Sequence, residues 1–307
     1  MRYFIVFFGA ISILYPTTGI AGNNSNEFSH DYPEIGITSN LASDVTSENE
    51  LHILGVGPDA FQAGDQVCLS SKRGESEAYI EGFGIFDSLA LPPESKWGGG
   101  EFVMPYVKPD DWNILFGSSH NALAVKGSCS DIFEKIDVKR GDFSILPEQI
   151  RLGLFEKARQ IHLKKTRKFL NESSGRDPKE YILAKQALKG QVKLKFTPQA
   201  GIEVFDLGSS AIAYASFRID PDVDGGLSWL GGYQEYQFLI YYEKGSDRFS
   251  TLDYHGQGTE GFLHVVSVAK LKTNEVMIVT SRSQPEDNLL GLYKLEKNKM
   301  VKINKNW

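Results

Sequence analysis

Three alternating aspartates form the segment of this sequence best suited to chemistry. Asp220, Asp222 and Asp224 lie in the run Asp-Pro-Asp-Val-Asp-Gly-Gly. Alternate carboxylates on a tight loop direct several oxygens at one hard cation, and a glycine at the sixth position permits the turn. The pattern departs from a helix-flanked calcium loop at its twelfth position, where Gly231 replaces the bidentate glutamate. A calcium site and an acidic turn between strands are both open interpretations.

A second segment combines an imidazole with two carboxylates. His255 lies between Asp253 and Glu260 in a glycine-rich stretch. A histidine oriented by a carboxylate can act as a general base, so a small periplasmic hydrolase is one hypothesis. The sequence contains no Gly-x-Ser-x-Gly elbow, no His-Glu-x-x-His motif and no phosphate-cradling loop. No catalytic residue is therefore assigned.

Aromatic residues cluster around three consecutive glycines. The candidate ligand-binding residues are Trp97, Phe102, Tyr106 and Trp112. Exposed aromatic rings at this density stack on sugars or anchor a protein partner. The alternative is that they fill the core of a small β domain.

The N-terminus has the pattern of a secretory signal peptide. Arg2 precedes an apolar run at 3–15, and small residues lead to a predicted cleavage site after Ala21. The run is shorter than the roughly 20 residues that a membrane span needs. We predict a periplasmic or secreted protein without a transmembrane segment after cleavage.

The chain contains two cysteines, Cys68 and Cys129. In an exported protein an even pair predicts a disulfide, and two cysteines without a nearby histidine cannot form a zinc site by themselves.

Composition indicates a folded protein with a substantial core. The chain has 307 residues, of which 41% are hydrophobic, and its net charge is −6. This acidic balance argues against nucleic acid as the partner.

The patterning predicts a mainly β protein with a helical connector (α+β). The predicted segments are a signal peptide at 1–21, a flexible leader at 22–48, an N-terminal β domain at 49–135, a helical connector at 136–190 and a C-terminal β repeat domain at 191–307. In the N-terminal domain we expect a small barrel or sandwich of six strands near 51–56, 66–69, 77–80, 101–104, 112–116 and 121–125.

The connector has helical periodicity. Ile150, Leu154, Ala158 and Ile161 form one apolar stripe after Pro147. A second, shorter helix is predicted to end at Gly190.

The C-terminal third contains an internal similarity at an offset of 64 residues, which aligns 204–222 with 268–286. The aligned pairs include Val204 with Val268, Ile212 with Val276, Arg218 with Arg282 and Pro221 with Pro285. Such similarity is typical of a supersecondary unit used more than once, here three or four antiparallel strands. Two such sheets packed on each other would cover their apolar faces.

The two copies resemble the FG-GAP repeat of β-propeller blades, which occurs in many exported bacterial proteins. The matching residues are Asp206-Leu207-Gly208 in the first copy and 270–279 in the second. The resemblance covers about 100 residues. It implies blade-like sheets without metal, because most of the family's calcium-binding aspartates are missing. Two blades cannot close a propeller, which needs at least about four, so we expect an open pair packed as a sandwich.

These observations favour an exported, non-catalytic binding or inhibitory protein that recognises a protein or glycan of the cell envelope. The alternatives are the hydrolase centred on His255 and a calcium-stabilised structural module. No other cofactor is predicted.

Overall fold

The computed structural model describes residues 32–39, 51–56, 59–87, 101–117, 120–172, 178–199, 201–221, 235–256, 262–283 and 288–303. This part of the chain is mainly β and includes three α-helices, which confirms the predicted fold class. The predicted signal peptide lies outside the described residues.

The N-terminal half forms a closed antiparallel barrel with strand order β1-β2-β5-β4-β3-β6. Its strands are β1 (Ile35–Ser39), β2 (Leu51–Leu54), β3 (Gln66–Ser71), β4 (Gly74–Asp87), β5 (Glu101–Pro109) and β6 (Ala122–Lys126). Closure pairs β1 with both β2 and β6, so this barrel has no free edge. Its interior is apolar, with Leu51, Ile53, Leu69 and Val107 fully buried.

Two predictions for this region were wrong. Ile35–Ser39 was placed in a flexible leader, yet it is a barrel strand whose five residues are all buried. The segment 112–116 was predicted as a strand, but Trp112–Ile114 is a 3₁₀ helix. Asp111 caps this helix by accepting a hydrogen bond from the Asn113 backbone N–H at 2.9 Å, and an aspartate in this position favours a turn over a strand.

The chain then passes through short elements into two helices. They are α1 (Cys129–Ile132), β7 (Phe133–Glu134), β8 (Asp137–Gly141), a 3₁₀ helix (Phe143–Ile145), α2 (Glu148–Glu172) and α3 (Pro178–Leu188). The predicted stripe is the buried face of α2, with Ile150, Leu154 and Ala158 fully buried. Gly190 follows α3 with a φ of 71°, a left-handed conformation that suits glycine at a helix end.

The C-terminal half forms two antiparallel sheets. Their remaining strands are β9 (Leu194–Pro198), β10 (Ile202–Asp206), β11 (Ser210–Pro221), β12 (Glu235–Glu243), β13 (Phe249–Gly256), β14 (Phe262–Leu271), β15 (Val276–Ser283), β16 (Asn288–Glu296) and β17 (Lys299–Lys302). The helix-side sheet has the order β13-β12-β11-β10-β8, and β9 also pairs with β11. The barrel-side sheet has the order β17-β16-β15-β14-β7.

These elements stack in four layers, namely α2, the helix-side sheet, the barrel-side sheet and the barrel. Leu154 of α2 packs against Phe238 and its neighbours on the helix-side sheet. Phe205 and Leu239 on the other face of that sheet pack against the barrel-side sheet. The outer face of the barrel-side sheet packs on barrel residues that include Ile37. The expected packing of two sheets is therefore present, with further layers on both sides.

The aligned segments of the C-terminal third occupy corresponding hairpins, β10–β11 and β14–β15. Ile212 and Val276 both face the space between the sheets. Val204 faces α2, whereas its aligned residue Val268 faces the other sheet. The difference arises from the turns. Asp206 pairs with Ala211 in the first hairpin, whereas Lys270 pairs with Val276 in the second, so the second turn is one residue longer. Duplication and the likeness to FG-GAP blades stay predictions.

Candidate functional site

A cleft of about 610 Å³ lies where the barrel meets the two sheets. One wall is the β3–β4 hairpin, residues 70–75, and the other is the segment from α1 to β8, residues 129–140. Phe205 of β10 and Val268 of β14 complete the lining. The volume is within the range of about 300–1,000 Å³ that is typical of small-molecule sites.

The hairpin wall is fixed by contacts with the barrel-side sheet. The Lys72 backbone N–H donates to the Val266 carbonyl oxygen at 2.7 Å. The hydroxyls of Ser70 and Ser267 are 3.3 Å apart and buried. Because both bonds cross from barrel to sheet, they hold the hairpin in place before any ligand binds.

The opposite wall is fixed by the predicted disulfide, which the structure contains. Cys68 on β3 is bonded to Cys129, the first residue of α1, with their Cα atoms 4.8 Å apart. Cys129 itself lines the cleft. The cross-link therefore joins a barrel strand to the segment that leaves the barrel.

A buried glutamate organises two of the cations around the cleft. Glu203 is only 6% exposed, and its carboxylate accepts from Lys72 Nζ at 3.0 Å and from Arg140 Nε at 3.3 Å. Arg140 also donates to the Lys72 carbonyl oxygen. These charge-assisted bonds compensate the burial of Glu203 and join the hairpin to β8 and β10.

Arg73 is held differently. Its Nη1 donates to the Leu115 carbonyl oxygen at 2.9 Å, and its guanidinium lies 5.8 Å from the centre of the Phe116 ring. Lys72 Nζ lies over the same ring at 4.7 Å. Within the described part of the chain, no carboxylate forms an ion pair with Arg73, so its charge is not neutralised by direct contact.

Glu75 and Lys135, which both line the cleft, interact electrostatically. Glu75 is exposed as a residue, but partial burial of its carboxyl raises its pKa. Nearby Lys135 opposes this shift by favouring the charged carboxylate. Lys135 is exposed and also lines the cleft.

Of the predicted aromatic residues that the structure describes in full, neither Tyr106 nor Trp112 lines the cleft. Trp97 lies outside the described residues, as does the side chain of Phe102. Tyr106 pairs its ring with His52 at 6.3 Å, whereas Trp112 packs edge-on against His120 at 5.5 Å and covers the barrel interior. The rings of Tyr106 and Trp112 are not in contact with each other, and Trp112 has the core-packing role that was the alternative interpretation.

Of the predicted acidic segment, the structure describes only the backbone of Asp220 and Pro221. Asp220 is near the end of β11 and pairs through its backbone with Lys195 of β9. Its side chain, Asp222 and Asp224 lie outside the described residues. Among the residues that the structure does describe, no cluster of three or more His, Cys, Asp or Glu residues is arranged to hold a metal ion.

The structure describes two of the three residues of the predicted catalytic group. His255 and Asp253 are both on β13, while Glu260 lies outside the described residues. The Asp253 carboxylate forms an ion pair with Arg282 of the facing sheet. Asp253 therefore joins the two sheets.

The charged residues of the cleft are not among the sites that the sequence predicts. A signal was available in the run Ser-Ser-Lys-Arg-Gly at 70–74, two adjacent cations at a tight turn between predicted strands. Lys135 and Arg140 are more than 60 residues further along the chain, and nothing in the local pattern brings them to the same site.

Comparisons with known proteins supply no relative. No protein-family model, curated protein or solved structure matches the chain. Among the described helices, none is long and apolar enough to cross a membrane.

Proposed function

We propose that this is an exported, non-catalytic binding protein that recognises a glycan of the cell envelope in the cleft between barrel and sheets. The observation that carries the proposal is the cleft itself, a concavity of about 610 Å³ whose two walls are fixed by hydrogen bonds and a disulfide. A preorganised site loses little conformational freedom when its ligand binds.

The shape favours a glycan over a protein partner. Protein interfaces typically cover about 800 Å² on each side, whereas this site is a cleft with a volume of about 610 Å³. Its lining combines the hydroxyl of Ser130 and the charge of Arg73 with the partly exposed apolar side chains of Ile136 and Val138. Polar groups that fix orientation beside apolar surface are the usual lining of a small-ligand site.

Export is supported by the disulfide and by the sequence at 1–21. A Cys68–Cys129 bond forms and persists in oxidising compartments such as the periplasm or the cell exterior. The absence of catalysis is proposed because the one candidate base, His255, lies on a strand whose neighbouring carboxylate, Asp253, is paired with Arg282.

A steric variant tests the site without changing its charge. Ser130 is exposed on the cleft lining, so Ser130→Phe introduces a ring into the cleft. The matched control is Ser209→Phe, an exposed serine in the β10–β11 turn that does not line the cleft. On an array of envelope glycans we expect wild type and Ser209→Phe to retain the same glycans and Ser130→Phe to lose them.

Two results would overturn the proposal. One is retention of the same glycans by Ser130→Phe with unchanged affinity. The other is release of cleaved sugar from a retained glycan by the wild-type protein but not by His255→Ala, which would instead support the hydrolase.

A further inference from the structure

The structure assigns the cleft to an anionic saccharide, one whose carboxylate or phosphate group is bound by Arg73 and Lys135. This inference rests on the proposed function and specifies its ligand. The shared chemistry is a compact oxyanion on a sugar, which a uronic acid and a sugar phosphate both provide.

The charges that line the cleft are predominantly positive. Lys72, Arg73, Lys135 and Arg140 contribute cations, and Glu75 and Asp137 contribute carboxylates. The chain as a whole has a net charge of −6. Its overall charge therefore repels anions, and any affinity for them must come from a local site such as this one.

The four cations of the cleft lining fall into two pairs that differ in their contacts. Lys72 and Arg140 bind the carboxylate of Glu203, which lies beneath the cleft lining. Arg73 and Lys135 form no ion pair with a carboxylate of the described residues. Lys135 interacts with Glu75 only at longer range, so both cations are available for direct contact with a ligand. Arginine in particular binds carboxylate and phosphate oxygens through paired N–H donors.

Arg73 is also preorganised for this task. One of its terminal nitrogens is fixed by the Leu115 carbonyl oxygen, and the ring of Phe116 lies beside the guanidinium. An arginine has five N–H donors, so the bond to Leu115 leaves others for an oxyanion. Because the side chain is already held, little rotamer freedom remains to be lost on binding.

The wall also presents groups that suit the neutral part of a sugar. The Ser130 hydroxyl is at the cleft surface and lies 3.2 Å from the Ser128 hydroxyl, an exposed contact that a sugar hydroxyl can replace. Ile136 and Val138, both partly exposed, add an apolar surface to the same lining.

Substitution of Glu75 tests the inference in the opposite direction, because it should strengthen binding of the anion. Its carboxylate opposes an anionic ligand, and partial burial already raises its pKa. The charges around it on the lining are Lys72, Arg73, Lys135 and Arg140, together with Asp137. Neutralising Glu75 should therefore strengthen anion binding, which a purely structural role for the residue would not produce.

The experiment measures binding of glucuronic acid, glucose 1-phosphate and glucose to the mature protein by calorimetry at low ionic strength. We expect at least one of the two acidic sugars to bind and glucose to bind at least tenfold more weakly. Arg73→Gln and Lys135→Met should each reduce the affinity for the acidic sugar about tenfold, the loss expected for one charge-assisted contact. Glu75→Gln should raise that affinity several-fold.

Lys139→Met is the matched control, because Lys139 is an exposed lysine on β8 that does not line the cleft. It should bind as the wild type does. Added salt should weaken binding of the acidic sugar in the wild type more than in Lys135→Met.

The outcomes separate this inference from the proposed function. If glucose binds as tightly as the acidic sugars and Ser130→Phe removes that binding, the cleft is a glycan site but the anionic inference is wrong. If the acidic sugars bind and neither Arg73→Gln nor Lys135→Met weakens them, the assignment of these two residues is wrong. If none of the three probes binds, the anionic inference is overturned, whatever the glycan array shows.

Discussion

Lys72 on the β3–β4 hairpin and Glu203 on β10 form a 3.0 Å ion pair that joins the barrel to the helix-side sheet. The two residues are 131 positions apart in the sequence. The contact is almost dry, since the side chain of Glu203 is 8% exposed and that of Lys72 is 18% exposed. It links the wall of the cleft to the sheet beneath it.

Lys72→Met should therefore destabilise the protein by about 2–3 kcal/mol. Removing one partner of a buried pair leaves an uncompensated charge, which costs about 3–5 kcal/mol, and Arg140 reduces this loss because it also binds Glu203. Urea unfolding followed by tryptophan fluorescence measures the change. The double variant Lys72→Met with Glu203→Gln should recover part of the loss. If the changes in the free energy of unfolding caused by the two single substitutions simply add in the double variant, the pairing is contradicted.

Acid should weaken the protein through His162 on α2. This histidine is 1% exposed, its Nδ1 lies 3.0 Å from the Tyr236 hydroxyl, and burial lowers its pKa to about 4, with Lys165 adding to the shift. The unfolded chain binds a proton at this residue below its ordinary pKa of 6.5, whereas the folded chain does not until about pH 4. Stability is therefore full above pH 6.5 and falls as the pH is lowered from 6.5 to 4, by about 3 kcal/mol in total.

His162→Gln should remove this contribution. Urea unfolding at several pH values between 7.5 and 4.5 should give a shallower decline for the variant than for the wild type. Titration of carboxyl groups is common to both proteins, so the difference between the two curves is the quantity to compare. Parallel curves would show that His162 is not the group responsible.

The elements that the sequence predicts correctly are those with a local signal. The stripe of Ile150, Leu154 and Ala158 marks α2 because helical spacing and burial coincide. The disulfide follows from the presence of only two cysteines in a chain whose sequence predicts export.

Elements that depend on distant contacts are missed. The strand Ile35–Ser39 has five residues and is stabilised by partners on both sides, β2 and β6. One face of this strand is buried by the barrel interior and the other by the barrel-side sheet. Both contacts are with residues distant in the sequence, so the local pattern does not predict them. The cleft is missed for the same reason, since its walls come from 70–75 and 129–140 and meet only through tertiary packing.

Gly36 should be intolerant of a side chain because β1 packs closely against β2. A Cβ at this position would lie 2.4 Å from the Leu54 backbone oxygen and 2.7 Å from a methyl carbon of Ile53. Gly36→Ala should therefore destabilise the protein by about 1–3 kcal/mol, the usual cost of overpacking. Gly201→Ala is not a suitable control because Gly201 has a φ of 98°, so the comparison is Ser209→Ala in an exposed turn.

Thermal unfolding measures both variants. A lower midpoint for Gly36→Ala with an unchanged midpoint for Ser209→Ala is the expected result. Equal midpoints for Gly36→Ala and the wild type would mean that β1 is free to move away from Leu54.

Loss of the disulfide should affect both stability and the cleft. The Cys68–Cys129 bond closes a loop with a sequence separation of 61, for which the chain-entropy relation gives about 4 kcal/mol of stabilisation. Cys68→Ala with Cys129→Ala should lower the free energy of unfolding by up to this amount.

Cys129 starts the wall formed by α1, so the double variant should also bind the acidic sugar more weakly under conditions where it remains folded. Calorimetric titration at low temperature, with circular dichroism to confirm folding, tests the second effect separately from the first. Unchanged affinity in the folded double variant would show that the wall keeps its position without the cross-link, and that the hydrogen bonds of the hairpin are sufficient to form the site.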